Sequence, residues 1–249
     1  MGKTHEALRW AEEEYQENLL RNPSTVSTEV ESSPPRQVSM DASLEHYENL
    51  KTSLLSRYSN NGVRTILFNS TNHGDGASTT AVNFATVLAK DSKFKVLIME
   101  VNLRTPSLHE TFKTDEAVSL EDVLKGKYKI KPPIHKVGPG ELYITAFSGK
   151  LFNGPVSFFE SDEFDEFLKD MRDQFDYVIL DSPPALLFSE FRVLCSKADG
   201  VVLVINSQKT RRQVALKAKK ELEEAGAKLL GVVLNKRRYY IPNRIYKML

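Results

Sequence analysis

The stretch VRTILFNSTNHGDGASTTAVNFATVLAK, residues 63–90, decides the fold. Its apolar start, glycine-containing middle and amphipathic end are typical of a strand, a phosphate-binding loop and a helix. Gly74 and Gly76 let the backbone turn and direct N–H groups at a phosphate, which the positive end of the helix also attracts. Ser78 stands where a hydroxyl would join a magnesium shell, but Ala77 stands where such a loop has its lysine. An ordinary strand-to-helix turn is therefore the alternative interpretation.

The rest of the chain repeats the alternation of strand and helix patterns. Apolar runs that are buried on both faces and alternate with helices indicate a parallel sheet that is covered on each side. The runs are VRTILFNS, FKVLIMEVN, DYVILDS, GVVLVINS and LLGVVLN. We therefore predict an α/β fold, in which a doubly wound, mostly parallel sheet is flanked by helices on both faces. Ligands of such sheets bind at the carboxyl ends of the strands, where polar residues follow three runs, at 69–79, 100–104 and 181–184.

Composition narrows the class of protein. A chain of 249 residues with 41% hydrophobic residues suits one α/β domain with appendages. The net charge of +1 excludes a globally basic nucleic-acid binder, and the single cysteine, Cys195, predicts a reducing compartment. The N-terminus is charged throughout and lacks the apolar core of a signal peptide. The expected location is therefore the cytoplasm, with recruitment to the inner face of the membrane as a further possibility.

Two changes in composition divide the chain. Residues 1–21 carry apolar positions at spacings of three and four, which predicts an amphipathic helix that either packs on its own domain or docks a partner. Residues 22–40 are rich in Ser, Pro and Thr and are interpreted as a flexible linker. We expect the α/β domain at residues 41–235 and a basic tail that contains tyrosines at residues 236–249.

Eight segments, in the same order, resemble the bacterial tyrosine kinases of capsule and exopolysaccharide synthesis. They are EHYENLKTSL, HGDGAST, VNLRTPSLH, VSLEDVLKGK, SGKLFNGPVSFFESDEF, FDYVILDSPP, ADGVVLVINSQKTRRQV and GVVLN. The resemblance implies a P-loop domain related to the chromosome-partitioning and division-site ATPases. It also implies ATP or ADP with Mg²⁺ as cofactors.

The resemblance implies a role for each polar residue of the three motifs. Catalysis would involve Asp181, Glu100 and Arg104, and the magnesium shell would contain Ser78, Glu100 and Asp181. An Asp at the end of a buried strand is also a common turn or cap residue. Asn235 could contact the adenine edge, since an amide both donates and accepts, or could simply form a turn. The expected nucleotide-binding residues are Gly74, Asp75, Gly76, Ala77, Ser78, Thr79 and Asn235.

The departures from the family pattern fall on the groups that would do chemistry. Ala77 replaces the loop lysine, Glu100 replaces the first aspartate of the second motif, and Asn102 replaces the second aspartate. Loss of one well-placed cation costs on the order of 10³ to 10⁵ in the rate of phosphoryl transfer. A charge-assisted hydrogen bond contributes only about 1.5–3 kcal/mol to binding. Nucleotide binding could thus survive while efficient turnover is lost.

Two further segments depart from the family pattern in ways that concern regulation. The helix that builds the family's ring has Glu followed by two Arg, whereas this chain has Glu45, Glu48 and Lys51, so one charge is reversed and a ring is doubtful. The tail offers phosphate acceptors at three tyrosines, and its cations could instead meet an acidic partner or an anionic lipid surface, or be solvated. These tyrosines are Tyr239, Tyr240 and Tyr246.

Three functions follow from these departures. The favoured one is a regulator of exopolysaccharide or capsule biosynthesis and export, attenuated or inactive as a kinase, which responds to nucleotide or only binds proteins. Its expected partner is the cytoplasmic end of a membrane polysaccharide copolymerase or an active kinase paralogue. The alternative is a working autokinase in which Arg104 or another cation replaces the lysine. A partitioning-type ATPase switch is the third, although such switches also rely on loop lysines.

Overall fold

The computed structural model describes residues 40–58, 62–90, 93–114, 118–125, 134–138, 140–148 and 154–237. The amphipathic helix predicted at residues 1–21 lies outside these ranges, as does the linker at 22–40 except for its last residue. The three tail tyrosines, Tyr239, Tyr240 and Tyr246, also lie outside them.

The described residues contain an eight-stranded sheet with the order β3-β5-β2-β6-β1-β7-β8. Every pair along this order is parallel, and β4 pairs with β5 in the antiparallel sense. This confirms the predicted α/β fold with its mostly parallel sheet. The strands are β1 Thr65–Ser70, β2 Val96–Glu100, β3 Val118–Ser119, β4 His135–Lys136, β5 Leu142–Ser148, β6 Tyr177–Asp181, β7 Gly200–Asn206 and β8 Leu229–Asn235.

Helices cover both faces of this sheet. Within the described ranges they are α1 Met40–Tyr58, α2 Ala77–Lys90, α3 Leu108–Phe112, α4 Leu120–Leu124, α5 Gly154–Phe159, α6 Asp162–Gln174, α7 Glu190–Lys197 and α8 Arg212–Glu224. Residues of α1, α2 and α3 join one apolar cluster with the sheet, and residues of α4 to α8 join a second cluster on the opposite face. The fold is therefore a three-layer α/β/α arrangement.

The strands alternate between the two clusters. In β1, Ile66 and Phe68 pack with α2, whereas Leu67 packs in the other cluster. Because both faces are covered, these strands are buried along their whole length, and their apolar residues face both sides of the sheet, as the sequence indicated. The second cluster is rich in phenylalanine rings that meet in tilted or edge contacts: Phe147, Phe158, Phe159, Phe164 and Phe167.

The sheet order places a crevice beside β1. The chain leaves β1 toward β2 on one side, and it later crosses from β6 to β7 on the other side of β1. Ligands of open α/β sheets bind where the direction of winding reverses in this way. The register pairs Asp181 of β6 with Phe68 of β1 and with Glu100 of β2. Both carboxylates therefore lie at the same level, on the side of the sheet that α2 covers.

Candidate active site

The predicted phosphate loop connects β1 to α2. Gly74 and Gly76 have φ angles of 79° and 96°, in the region that favours glycine. Helix α2 begins at Ala77 and has 14 residues, so its first N–H groups and its positive end face the crevice. This conformation has the form of a phosphate cradle, with Ser78 in its first turn.

Asp75 holds the loop in shape from within. Its side chain is buried, and one carboxylate oxygen accepts hydrogen bonds from the Thr71 hydroxyl and, at 3.0 Å, from the backbone N–H of Asn72. The other oxygen accepts from the hydroxyl of Thr210 at 3.4 Å, which ties the loop to the segment after β7. The sequence predicted Asp75 as a nucleotide-binding residue; here its carboxylate binds the protein's own loop.

Asn235 and Lys236 hold the loop from the end of β8. The Asn235 amide donates to the Asp75 carbonyl at 2.9 Å, and the Lys236 ammonium donates to the Gly74 carbonyl at 2.7 Å. The side-chain amide of Asn235, which we predicted to contact the adenine edge, therefore contacts the backbone of the loop. The sequence did not single out Lys236 for this site, because only the register of β8 brings it to residue 74.

We expect Gly76→Ala to lower the free energy of unfolding by about 1–3 kcal/mol, because its φ is strained for a residue with a side chain. A Cβ at this position would also lie 2.0 Å from the Asn235 amide nitrogen. Gly74→Ala is the matched control, since its φ is also positive but a Cβ there meets nothing within 4 Å. Urea unfolding of both variants separates the two effects, and equal losses would mean that Asn235 yields without cost.

Asp181 is a buried carboxylate at the end of β6. Neither of its oxygens has a hydrogen-bond partner of regular geometry among the described residues. Burial raises the pKa of Asp181 to about 7, the Ser78 hydroxyl opposes this rise, and the charge of Glu100 adds to it. A buried carboxylate that lacks a hydrogen-bond partner of regular geometry and lies beside Ser78 fits a magnesium ion, held directly or through water.

Glu100 is engaged by the start of α3. One of its oxygens accepts from the backbone N–H of Ser107 and, at 2.7 Å, from that of Leu108. The carboxylate therefore satisfies two N–H groups at a helix start, in addition to lying in register with Asp181. Sequence reasoning assigned Glu100 to catalysis and to magnesium, and did not foresee this capping contact.

Arg104 is paired with an acidic residue of α7. Its Nε lies 2.6 Å from a carboxylate oxygen of Glu190, which is 1% exposed. Its guanidinium also lies 5.2 Å from the ring centroid of Phe188, and the ring of His73 approaches the same phenylalanine at 5.6 Å. Phe188 and Glu190, which the sequence did not reveal, thus fix the position of the arginine predicted to replace the lysine.

Asn102 closes a local turn. Its amide donates to the Thr105 hydroxyl at 3.1 Å and accepts from the Thr105 N–H at 3.3 Å.

Lys51 of α1 pairs with Glu48 at 2.8 Å and donates to the Val87 carbonyl of α2 at 3.3 Å. The lysine at the family's ring position is therefore turned onto its own domain.

The described residues lack two kinds of feature. No group of three or more His, Cys, Asp or Glu side chains there is arranged to hold a metal ion. A magnesium ion would accordingly need water or nucleotide oxygens as further ligands. No helix in the described ranges is both long enough and apolar enough to cross a membrane.

Comparisons with known proteins agree with the fold. The family described as AAA domain matches residues 63–225. Tyrosine-protein kinase YwqD of Bacillus subtilis (strain 168) is 32% identical over 191 residues, which are 77% of this chain and 80% of the relative. The crystal structure of the chimerical protein CapA2B2 is 26% identical with a TM-score of 0.71, and the match covers 78% of this chain and 85% of that one. The septum site-determining protein MinD of Pyrococcus horikoshii OT3, complexed with Mg-ADP, shares the fold with a TM-score of 0.58 and 22% identity, over 75% of this chain and 77% of that one.

Proposed function

Because this chain belongs to the bacterial tyrosine kinase family of capsule and exopolysaccharide biosynthesis, we propose that it is a kinase-like regulator whose own phosphoryl transfer is lost or strongly attenuated. Its site keeps the parts that bind a nucleotide and lacks the part that neutralises charge on the transferred phosphate. In this proposal the chain controls the activity of partner proteins in the same biosynthetic machinery. It does so either in response to bound nucleotide or through protein contacts alone.

The observation that carries the proposal is the absence of a cation at position 77. Ala77 is the first residue of α2, and its methyl group is 7% exposed. Arg104, the nearest cation by motif, is bound to Glu190 and stacked on Phe188. Phosphoryl transfer depends on positive charge around the moving phosphate, and its loss costs on the order of 10³ to 10⁵ in rate.

The groups that remain suit Mg²⁺ and the phosphates of ATP or ADP. Asp181 offers two buried oxygens, Ser78 offers a hydroxyl, and the N–H groups at the start of α2 face a phosphate position. A bound magnesium ion would neutralise charge on the phosphate oxygens. We therefore propose that the loop and these groups hold a nucleotide with its magnesium ion. Glu100 of β2 is paired in register with Asp181 of β6.

A working autokinase is the second candidate. It is favoured by the retained Asp181, whose burial beside Ser78 suits a magnesium ion. Phosphate acceptors in that case would be Tyr239, Tyr240 and Tyr246. A partitioning-type switch is a weaker candidate, because the likeness to MinD is one of fold only and Ala77 removes a lysine such switches need.

Partners are proposed from the family's role. They are the cytoplasmic end of a membrane polysaccharide copolymerase, or an active kinase of the same family. The cations of the tail, from Lys236 onward, could bring the chain to an anionic membrane surface. A ring of the family's kind is not proposed, because Lys51 contacts its own domain and Glu48 reverses a charge.

The test is transfer of γ-phosphate from Mg-ATP to tyrosine by the purified chain, with the Bacillus subtilis relative as the active standard. We expect a rate about 10³-fold or more below the standard. We also expect addition of the chain to change the rate of an active kinase partner. A rate like that of the standard, lost when the three tail tyrosines become phenylalanine, would establish the autokinase instead.

A further inference from the structure

The turn after β8 presents a lysine to the phosphate loop. The Lys236 ammonium lies 2.7 Å from the Gly74 carbonyl oxygen. This lysine has a φ of 56°, its N–H donates to the Asn235 side chain at 2.8 Å, and its carbonyl accepts from the Gln208 amide. These contacts fix the backbone of Lys236, and the bond to the Gly74 carbonyl places its ammonium group.

An ammonium group has three N–H donors, and one carbonyl uses only one of them. The side chain of Lys236 is exposed, so the remaining donors are open to a ligand on the loop. The Nε of Arg104 is instead paired with Glu190. Among the described residues, Lys236 is thus the cation whose side chain bonds to the loop backbone.

A second observation points to an anionic ligand at the same place. The carboxylate of Asp181 is fully buried without a partner of regular geometry and faces Ser78 of α2. Such a carboxylate fits a cation that arrives with a polyphosphate, as Mg²⁺ does with ATP or ADP. The crevice is therefore equipped at one side for the metal and at the other for the phosphate chain.

We propose that Lys236 is a nucleotide-binding residue, whose ammonium supports the polyphosphate of a nucleoside di- or triphosphate and partly offsets the loss at Ala77. The inference rests on the nucleotide binding that the proposed function includes. The lysine reaches the loop at Gly74, three residues before position 77. It can therefore strengthen binding without standing where the lost lysine would act in transfer, which agrees with a chain that holds nucleotide and turns it over poorly.

Calorimetric titration of the full chain with Mg-ADP tests the proposal. We expect Lys236→Met to weaken binding by about tenfold or more, as loss of a charge-assisted contact predicts. Lys209→Met is the matched control, because Lys209 is an exposed lysine of the turn after β7 and its loss changes the net charge equally. We expect that control to change the affinity less than about twofold, since exposed charges are screened.

Lys236→Arg separates binding from a purely structural role. We expect it to retain much of the affinity, because it keeps a cation at the loop, while the thermal midpoint of all three unliganded variants stays near that of the unaltered chain. Equal weakening by Lys236→Met and Lys209→Met would overturn the proposal, as would a lack of binding to the unaltered chain. Kinase-like turnover, in contrast, would overturn the regulator and leave Lys236 as a binding residue.

Discussion

The Ala77→Lys variant is expected to bind Mg-ATP roughly 10- to 100-fold more tightly than the unaltered chain, as one restored charge-assisted contact predicts. Position 77 is the first residue of α2, directly after Gly76 and before Ser78. An ammonium placed there would reach phosphates held on the loop, whose backbone is already fixed by Asp75. Calorimetric titration with Mg-ATP measures the change.

The same variant is expected to raise phosphoryl transfer by more than it raises affinity. A cation beside the transferred phosphate stabilises the transition state, and its effect is on the order of 10³ to 10⁵ in rate when the other groups are in place. Because Asn102 has also lost a charge, we expect a further rise when Ala77→Lys is combined with Asn102→Asp. The two measurements are the release of phosphate from Mg-ATP and the formation of phosphotyrosine.

Gln213→Lys is the control for the added charge, since Gln213 is exposed on α8. It should leave both affinity and transfer within about twofold, because an exposed charge is screened by solvent and salt. If Ala77→Lys folds with an unchanged thermal midpoint and yet gains neither binding nor transfer, the loop does not hold phosphates. The regulator would then act through protein contacts alone.

Asp181→Asn is expected to stabilise the unliganded chain at pH 8 and to remove its magnesium-dependent nucleotide binding. The pKa of this buried carboxyl is raised from 3.8 to about 7, so the folded state favours the protonated acid. The destabilisation is absent below pH 3.8, grows as the pH rises, and is complete above about 7. At about 1.4 kcal/mol per pKa unit, its full size is about 4 kcal/mol.

Urea unfolding at two pH values measures this effect. The gain of Asp181→Asn over the unaltered chain should be about 2–3 kcal/mol larger at pH 8 than at pH 5, because the cost of keeping the buried acid protonated while the unfolded one ionises still grows between pH 5 and about 7. Asp173→Asn, at an exposed position on α6, is the control for loss of a carboxylate outside the buried site. A gain that does not vary with pH would contradict the proposed origin of the pKa shift.

Much of the fold could be predicted because the core strands are long apolar runs. The runs around Thr65–Ser70, Val96–Glu100, Tyr177–Asp181, Gly200–Asn206 and Leu229–Asn235 each became a strand. The two-residue strands Val118–Ser119 and His135–Lys136 were not foreseen, because a segment that short carries no periodicity. Their pairing with β5 is decided by the tertiary structure.

The site was predictable in its location but less so in its contacts. Strand ends reveal that Glu100 and Asp181 meet at one edge of a parallel sheet, since register follows from the fold. Whether a side chain is already engaged depends on residues far away in sequence; Arg104 and Glu190, for example, are 86 positions apart. Local patterns contain no such information, which is why Arg104 looked available and Lys236 was overlooked.

Because the loop is attached to the end of β8, force applied to that end would also act on the loop. Asn235 and Lys236 connect the end of the sheet's edge strand to the carbonyls of Asp75 and Gly74. The chain continues past Arg237 into the tyrosine-bearing segment, so the covalent path from that segment to the loop is short. A pull exerted on this segment by a partner or a lipid surface would reach the loop through these two contacts, and would reach the turn after β7 through the bond between the Lys236 carbonyl and Gln208.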